Sequence, residues 1–269
     1  MNGRKIIKMV EVVRVRFIGS ETSRGCEEAP TKILDCFKKI SCRENGAAIN
    51  KDTIRFEEIH VNLDDRTEAA HLIFENGKEI FAKNFHSYFI GGDMSVCLPL
   101  LSAWNRVEKN NIVIVFDAHT GCEHTTRLDN SWLRSLVNEG FNTSSIILVG
   151  TRAYGVDEKK FLKNSGILTI DMHLLREDGT GICDLLMERA RASKNFFVVV
   201  DCDVIDPAHA PGVNECEVGG MSSRDILYFL SRLRLLDVFR GAAVMNINPL
   251  HDNQNMSSKL AARLLAELV

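Results

Sequence analysis

The sequence has 269 residues, of which 45% are hydrophobic and 26% charged, and a formal net charge of −3 at pH 7. This is an ordinary globular composition; the acidic balance speaks against a nucleic-acid partner, and no apolar run approaches the roughly 18 residues needed to span a bilayer. The eight cysteines form no CxxC pair and lie inside apolar or motif segments, so they read as reduced thiols of a cytoplasmic protein rather than as disulfides or a zinc site.

The first segment, MNGRKIIKMVEVVRVRF, has no long apolar core and no small-residue cleavage site. It reads as a start followed by a strand over 12–19, not as a signal peptide. Further strands are predicted at 87–93, 111–117, 144–150, 166–171, 195–201 and 241–249. They are continuous Val/Ile/Phe runs without alternation, the pattern of strands covered on both faces. Between and after them, 29–40, 95–108, 131–140, 157–166, 183–193, 222–236 and 257–268 place apolar residues at helical steps. Ser222 and Ser257 are candidate N-caps. No linker, low-complexity segment or repeat interrupts this alternation. It predicts a single α/β domain over 1–269, a three-layer αβα sandwich with a mainly parallel sheet. Ligand sites in such sheets lie beyond the carboxyl ends of the strands.

Two strand ends carry chemistry: Val115-Phe116-Asp117-Ala118-His119 and Val200-Asp201-Cys202-Asp203. Side chains two apart on a strand point the same way. Asp117 and His119 therefore share one face, Asp201 and Asp203 share another, and Cys202 faces the core. If the strands are neighbours, three carboxylates and an imidazole converge. Carboxylates crowded at a buried strand end are costly to desolvate, and a divalent cation relieves that cost. Oxygen donors with one imidazole suit Mn²⁺. A lone aspartate at a strand end more economically caps a turn. Two such pairs closing the two most hydrophobic strands favour metal, while Asp206, Asp93 and the other histidines read as structural.

Along nearly the whole chain the motifs resemble those of the arginase/agmatinase/formiminoglutamase family. FIGGDMS resembles that family's GGDHS segment, VFDAHTG its DAHxD segment, and VVVDCDVIDPAHAPG its SxDxDxxDPxxAPG segment. GGMSSRD, GTRAYGVDE and NINPLHD follow in family order. The resemblance implies an arginase-like fold, two Mn²⁺ ions that activate a shared water, and hydrolysis of a guanidine or amidine C–N bond. It also implies a homo-oligomer, trimeric or hexameric, with a small amidine or amide substrate.

The departures are specific. Met94 stands where the family has a histidine ligand, and Gly121 where it has an aspartate ligand, both of the same ion. The other ion keeps its full set: Asp117, His119, Asp201 and Asp203. One ion is therefore expected. Glu123 and His124, in the next loop, are the candidates to repair the second site. Asn246 replaces the family glutamate that pairs with a cationic substrate, and Glu215 is a candidate to supply that charge. Asp129 and Asn130 fall where a proton-transferring histidine is usual. Glu123, His124 and Asn246 are thus the catalytic candidates. The expected function is a metal-dependent hydrolase of linear amidines or guanidino compounds. The alternatives are a single-metal hydrolase of a less basic substrate and a degenerate homologue binding one or no metal in an assembly role.

Overall fold

The computed structural model describes residues 9–83 and 85–269, so residues 1–8 of the N-terminal segment lie outside the described residues. Eight strands form one sheet: β1 Val10–Val15, β2 Ile54–Ile59, β3 His86–Gly91, β4 Asn111–Phe116, β5 Ile146–Thr151, β6 Leu168–Asp171, β7 Asn195–Asp201 and β8 Phe239–Met245. Their order is β2-β1-β3-β8-β7-β4-β5-β6, and every pairing is parallel. The helices are α1 Ala29–Phe37, α2 Arg66–Ala82, α3 Cys97–Val107, α4 Leu128–Asn138, α5 Val156–Ser165, α6 Met172–Glu177, α7 Gly179–Arg191, α8 Ser223–Leu233 and α9 Met256–Leu268.

The three-layer sandwich follows from strands that bury both faces. In β4, Ile114 and Phe116 join a core with Ile33 of α1, Leu186 of α7, Ile226 and Leu230 of α8 and Leu264 of α9. Val113 and Val115, on the opposite face, pack with Ile73 of α2, Trp104 of α3, Leu136 of α4 and Leu162 of α5. Among the described residues, no helix is long and apolar enough to cross a membrane.

Three elements were not anticipated. Strand β2 is an edge strand whose IRFEEI sequence leaves Arg55, Phe56 and Glu57 exposed, so it lacks the buried-strand signature. Helix α2 carries Gly77 in its interior. A Cβ there would stand 3.1 Å from the Ala103 side chain of α3, so this glycine permits close helix packing rather than ending the helix. Helix α6 is too short for its period to register.

Two further expectations change. Strand β8 stops at Met245 because Asn246 takes a left-handed backbone, φ +69°, which a strand cannot contain. Ser222 is an N-cap, in a reciprocal capping box with Asp225. Ser257 is not: it lies inside α9, where Asp252 accepts from the N–H groups of Ser257 and Ser258, at 2.9 Å each. The Ser257 hydroxyl instead accepts from Gly212 N at 2.7 Å.

Candidate functional site

Strands β4, β7 and β8 are neighbours in the middle of the sheet, with Phe116 opposite Val200 and Asp201 opposite Met245. The chain leaves this sheet end at Asp117, Asp201 and Asn246. The expected extended geometry past the strand ends is replaced by turns. Asp117 Oδ1 accepts from His119 N at 2.7 Å, and Asp201 Oδ1 accepts from Asp203 N at 2.8 Å. A carboxylate that bonds the amide two residues on bends the chain into an Asx turn. The turns still bring the two pairs together, at the floor of a cleft of about 90 Å³.

His119 Nδ1 lies 3.7 Å from Asp117 Oδ1 and 3.8 Å from Asp203 Oδ2. Both distances exceed a hydrogen bond. They suit donors facing a common point, since two atoms each about 2.1 Å from one ion stand roughly 3.0–4.2 Å apart. On the other side of the ring, His119 Nε2 faces Glu217 Oε1 at 3.5 Å and Glu215 Oε2 at 3.7 Å. A histidine ligand commonly turns its second nitrogen to a carboxylate in this way.

The charges are unbalanced. Asp117, Asp201 and Asp203 are all buried. Burial, and then the neighbouring Asp117 charge, hold the Asp201 carboxyl well above the ordinary range. Burial, and then Asp201, do the same to Asp203. Burial opposes charging of His119, but its approach to Asp117 and the charges of Asp117, Asp201 and Glu215 outweigh it and raise the imidazole to about 9. Such crowding of buried carboxylates is what a bound divalent cation would relieve. Asp203 Oδ1 is buried without a hydrogen-bond partner. The donor chemistry therefore fits one divalent ion. Yet among the described residues no group of three or more His, Cys, Asp and Glu side chains is arranged to hold an ion.

Asn246 stands in between. Its Nδ2 donates to Asp201 Oδ2 at 3.1 Å and to Asp203 Oδ2 at 3.0 Å, and its Oδ1 is buried with no partner.

At the other ion's position the residues do not fit. Met94 lines the cleft with its thioether against the Cys97 thiol, 3.7 Å away. Gly121 has φ +63°, and a Cβ on it would lie 2.3 Å from Trp132 Nε1 and 2.6 Å from Cε2. An indole fills the space that an aspartate would need.

The loop candidates fall at the rim. Glu123 is exposed and lines the cleft, where its Oε2 accepts from Asn130 Nδ2 at 2.7 Å. His124 is exposed and does not line the cleft. Asp129 is buried and accepts from Arg127 Nη2 at 2.8 Å. The same Arg127 nitrogen donates to Glu215 Oε1 at 3.0 Å. Asp206 holds its turn, accepting from Ala208 N at 2.9 Å and Gly219 N at 2.7 Å. Asp93 is likewise a turn residue, accepting from Gly19 N at 2.9 Å and Ser95 N at 3.0 Å. Cys202 packs into the core as expected.

Sequence reasoning missed Glu217 and Arg152. The Arg152 guanidinium donates to the carbonyls of Asp203 (2.9 Å), Val204 (3.2 Å), Glu217 (2.7 Å) and Val218 (3.0 Å). It thereby ties the turn that bears Asp203 to the loop that bears Glu217. Arg152 lies in the GTRAYGVDE segment and Glu217 in no motif, but neither role was readable, because the partners are carbonyls and a loop brought close only by folding.

Known proteins share this arrangement's frame. The arginase of Bacillus subtilis is 26% identical over 240 residues, 82% of this chain and 81% of its own length. The formimidoylglutamase of Halalkalibacterium halodurans is 25% identical over 254 residues, 90% of this chain and 80% of its own. Among solved structures, the formimidoylglutamase of Bacillus subtilis superposes with a TM-score of 0.89 at 23% identity, covering 99% of this chain and 87% of that one. The profile of the arginase family matches residues 9–269, so the chain belongs to the arginase family.

Proposed function

We propose that this chain hydrolyses the C–N bond of a linear amidine or guanidino compound, with one Mn²⁺ held by Asp117, His119, Asp201 and Asp203. The convergence of those four side chains at the ends of β4 and β7, over a partnerless buried carboxylate oxygen, carries the reading. The names of the two curated relatives, an arginase and a formimidoylglutamase, support hydrolysis over a purely binding role.

A divalent cation bound there supplies a Lewis acid and lowers the pKa of water toward neutrality. The remaining work falls to the protein. Asp117 and Asp201 orient the turns that present His119 and Asp203. Glu215 and Glu217 face His119 Nε2, which keeps the proton on that nitrogen and leaves Nδ1 free to donate its lone pair. Glu123, Glu158 and Glu215 line the cleft and bias it toward a cationic amidinium. Asn246 occupies the floor as a neutral amide, so that bias comes from the rim. We extend the reading to one domain over 1–269, acting as a cytoplasmic homo-oligomer.

The test is metal analysis of the purified protein together with Mn²⁺-dependent release of urea or ammonia from arginine, agmatine, formiminoglutamate and guanidinobutyrate. One Mn²⁺ per chain, lost in His119→Ala, with turnover of at least one substrate is expected. No uptake of Mn²⁺ after loading, or uptake unchanged by His119→Ala, overturns the site.

A further inference from the structure

We infer that Asn246 is itself a ligand of this centre, joining it through its carboxamide oxygen after a half-turn about the Cβ–Cγ bond. The inference rests on the metal-dependent reading above and adds a residue to it.

The carboxamide now faces Asp201 Oδ2 and Asp203 Oδ2 with its two N–H hydrogens. A cation shared by those oxygens would meet the positive ends of these N–H bonds. The present orientation is therefore incompatible with the loaded centre. The opposite atom is free to exchange: Asn246 Oδ1 is buried and accepts no hydrogen bond, so a half-turn breaks nothing on that side. Nδ2 and Oδ1 are nearly equal in size and bond length. The half-turn sets the oxygen where the nitrogen stands, 3.0 and 3.1 Å from the two carboxylate oxygens. Oxygens at right angles around one ion, each about 2.1 Å from it, are roughly 3.0 Å apart.

The residue itself is held in place. Its backbone is pinned on both sides: Asn246 N donates to Gly92 O at 2.8 Å, and Asn246 O accepts from Asn214 N at 3.1 Å. Only 7% of the residue is exposed. Its φ of +69° is a left-handed value that asparagine accepts more readily than most residues. A carboxamide oxygen is also the right kind of donor, a hard neutral oxygen of the type Mn²⁺ and Mg²⁺ take. It adds a donor where His, Cys, Asp and Glu side chains alone form no holding group.

The competing account makes Asn246 a placeholder that satisfies the carboxylates only when the cation is absent. The two accounts predict opposite signs. Titration calorimetry with Mn²⁺ on the wild type and on Asn246→Gly separates them, and glycine is chosen because it holds φ +69° without strain. A ligand role predicts a dissociation constant raised about tenfold or more. An unchanged or lowered constant in the glycine variant overturns the proposal, because loss of a true ligand must weaken binding. A wild type that takes up no Mn²⁺ sinks the metal reading itself, a different outcome. A second measurement needs no loss of side chain. The Asn246 side-chain amide pair, assigned in ¹⁵N spectra by its absence from Asn246→Asp, should shift when the wild type is saturated with diamagnetic Zn²⁺. An unmoved pair overturns the half-turn.

Discussion

Gly121→Asp combined with Met94→His rewrites the chain toward a two-ion pattern, yet this variant is expected to lose stability and gain no second ion. The obstacle is steric. Gly121 has φ +63°, which costs an L residue about 1 kcal/mol or more. Its Cβ would lie 2.3 Å from Trp132 Nε1, against an indole that is only 1% exposed and packed in the same core as Leu133 and Val115. Forcing atoms into such a core costs about 1–3 kcal/mol. The sum, about 2–4 kcal/mol, corresponds to a fall in Tm of roughly 5–15 °C for a chain of this size. Urea and calorimetric unfolding of Gly121→Asp should be run beside Gly121→Ala, which adds the same Cβ without a carboxylate. Similar losses in both would assign the cost to the collision. A double variant as stable as the wild type, holding two Mn²⁺ per chain, would refute the reasoning.

Two further outcomes follow from the same geometry. Arg152→Ala leaves the carbonyls of Asp203, Val204, Glu217 and Val218 without their shared donor and is expected to cost about 2–4 kcal/mol in urea unfolding, with no rescue by Arg152→Lys, whose ammonium lacks the planar fork; a loss below about 0.5 kcal/mol would count against the clamp. Asp93 is fully buried, and that burial, followed by the charge of Asp129, raises its carboxyl from 3.8 to about 6. The folded state therefore binds the extra proton. The stability it lends is complete below about pH 3.8 and is lost as pH rises through about 6, a change on the order of 3 kcal/mol that Asp93→Asn should flatten; a wild-type profile without that slope would contradict it.

The parallel core was legible because strands buried on both faces leave little choice of residue. NFFVVVD and NIVIVF admit few other readings, and the aspartates that follow β4 and β7 stand at the sheet end where such folds place their sites. Strand β2 escaped because one side of it meets no neighbour, which lets Arg55 and Glu57 stand exposed. Helix α2 escaped because Gly77, a breaker in isolation, meets the Ala103 side chain across a tight contact. At the site, the departures Met94, Gly121 and Asn246 could be read from the motifs. What fills the space could not. Trp132 lies on a helix with nothing to mark it as the occupant of Gly121's missing side chain, and the grip of Asn246 on two aspartates depends on a left-handed backbone that its sequence position does not announce.

The position of β8 has a consequence for how the protein comes into being. This last strand lies between β3 and β7, so without it the sheet is two separate ribbons, β2-β1-β3 and β7-β4-β5-β6. A nascent chain that has not yet delivered residues 239–245 already owns Asp117, His119, Asp201 and Asp203 on one ribbon, but lacks the neighbour that fixes Asn246 over them. Insertion of a central strand between two preformed edges is a non-local event, of the kind that slows folding. On the proposed one-ion reading, Mn²⁺ present during refolding is expected to brace the ribbon that bears the four donors before the final strand inserts, and so to speed recovery of the native sheet.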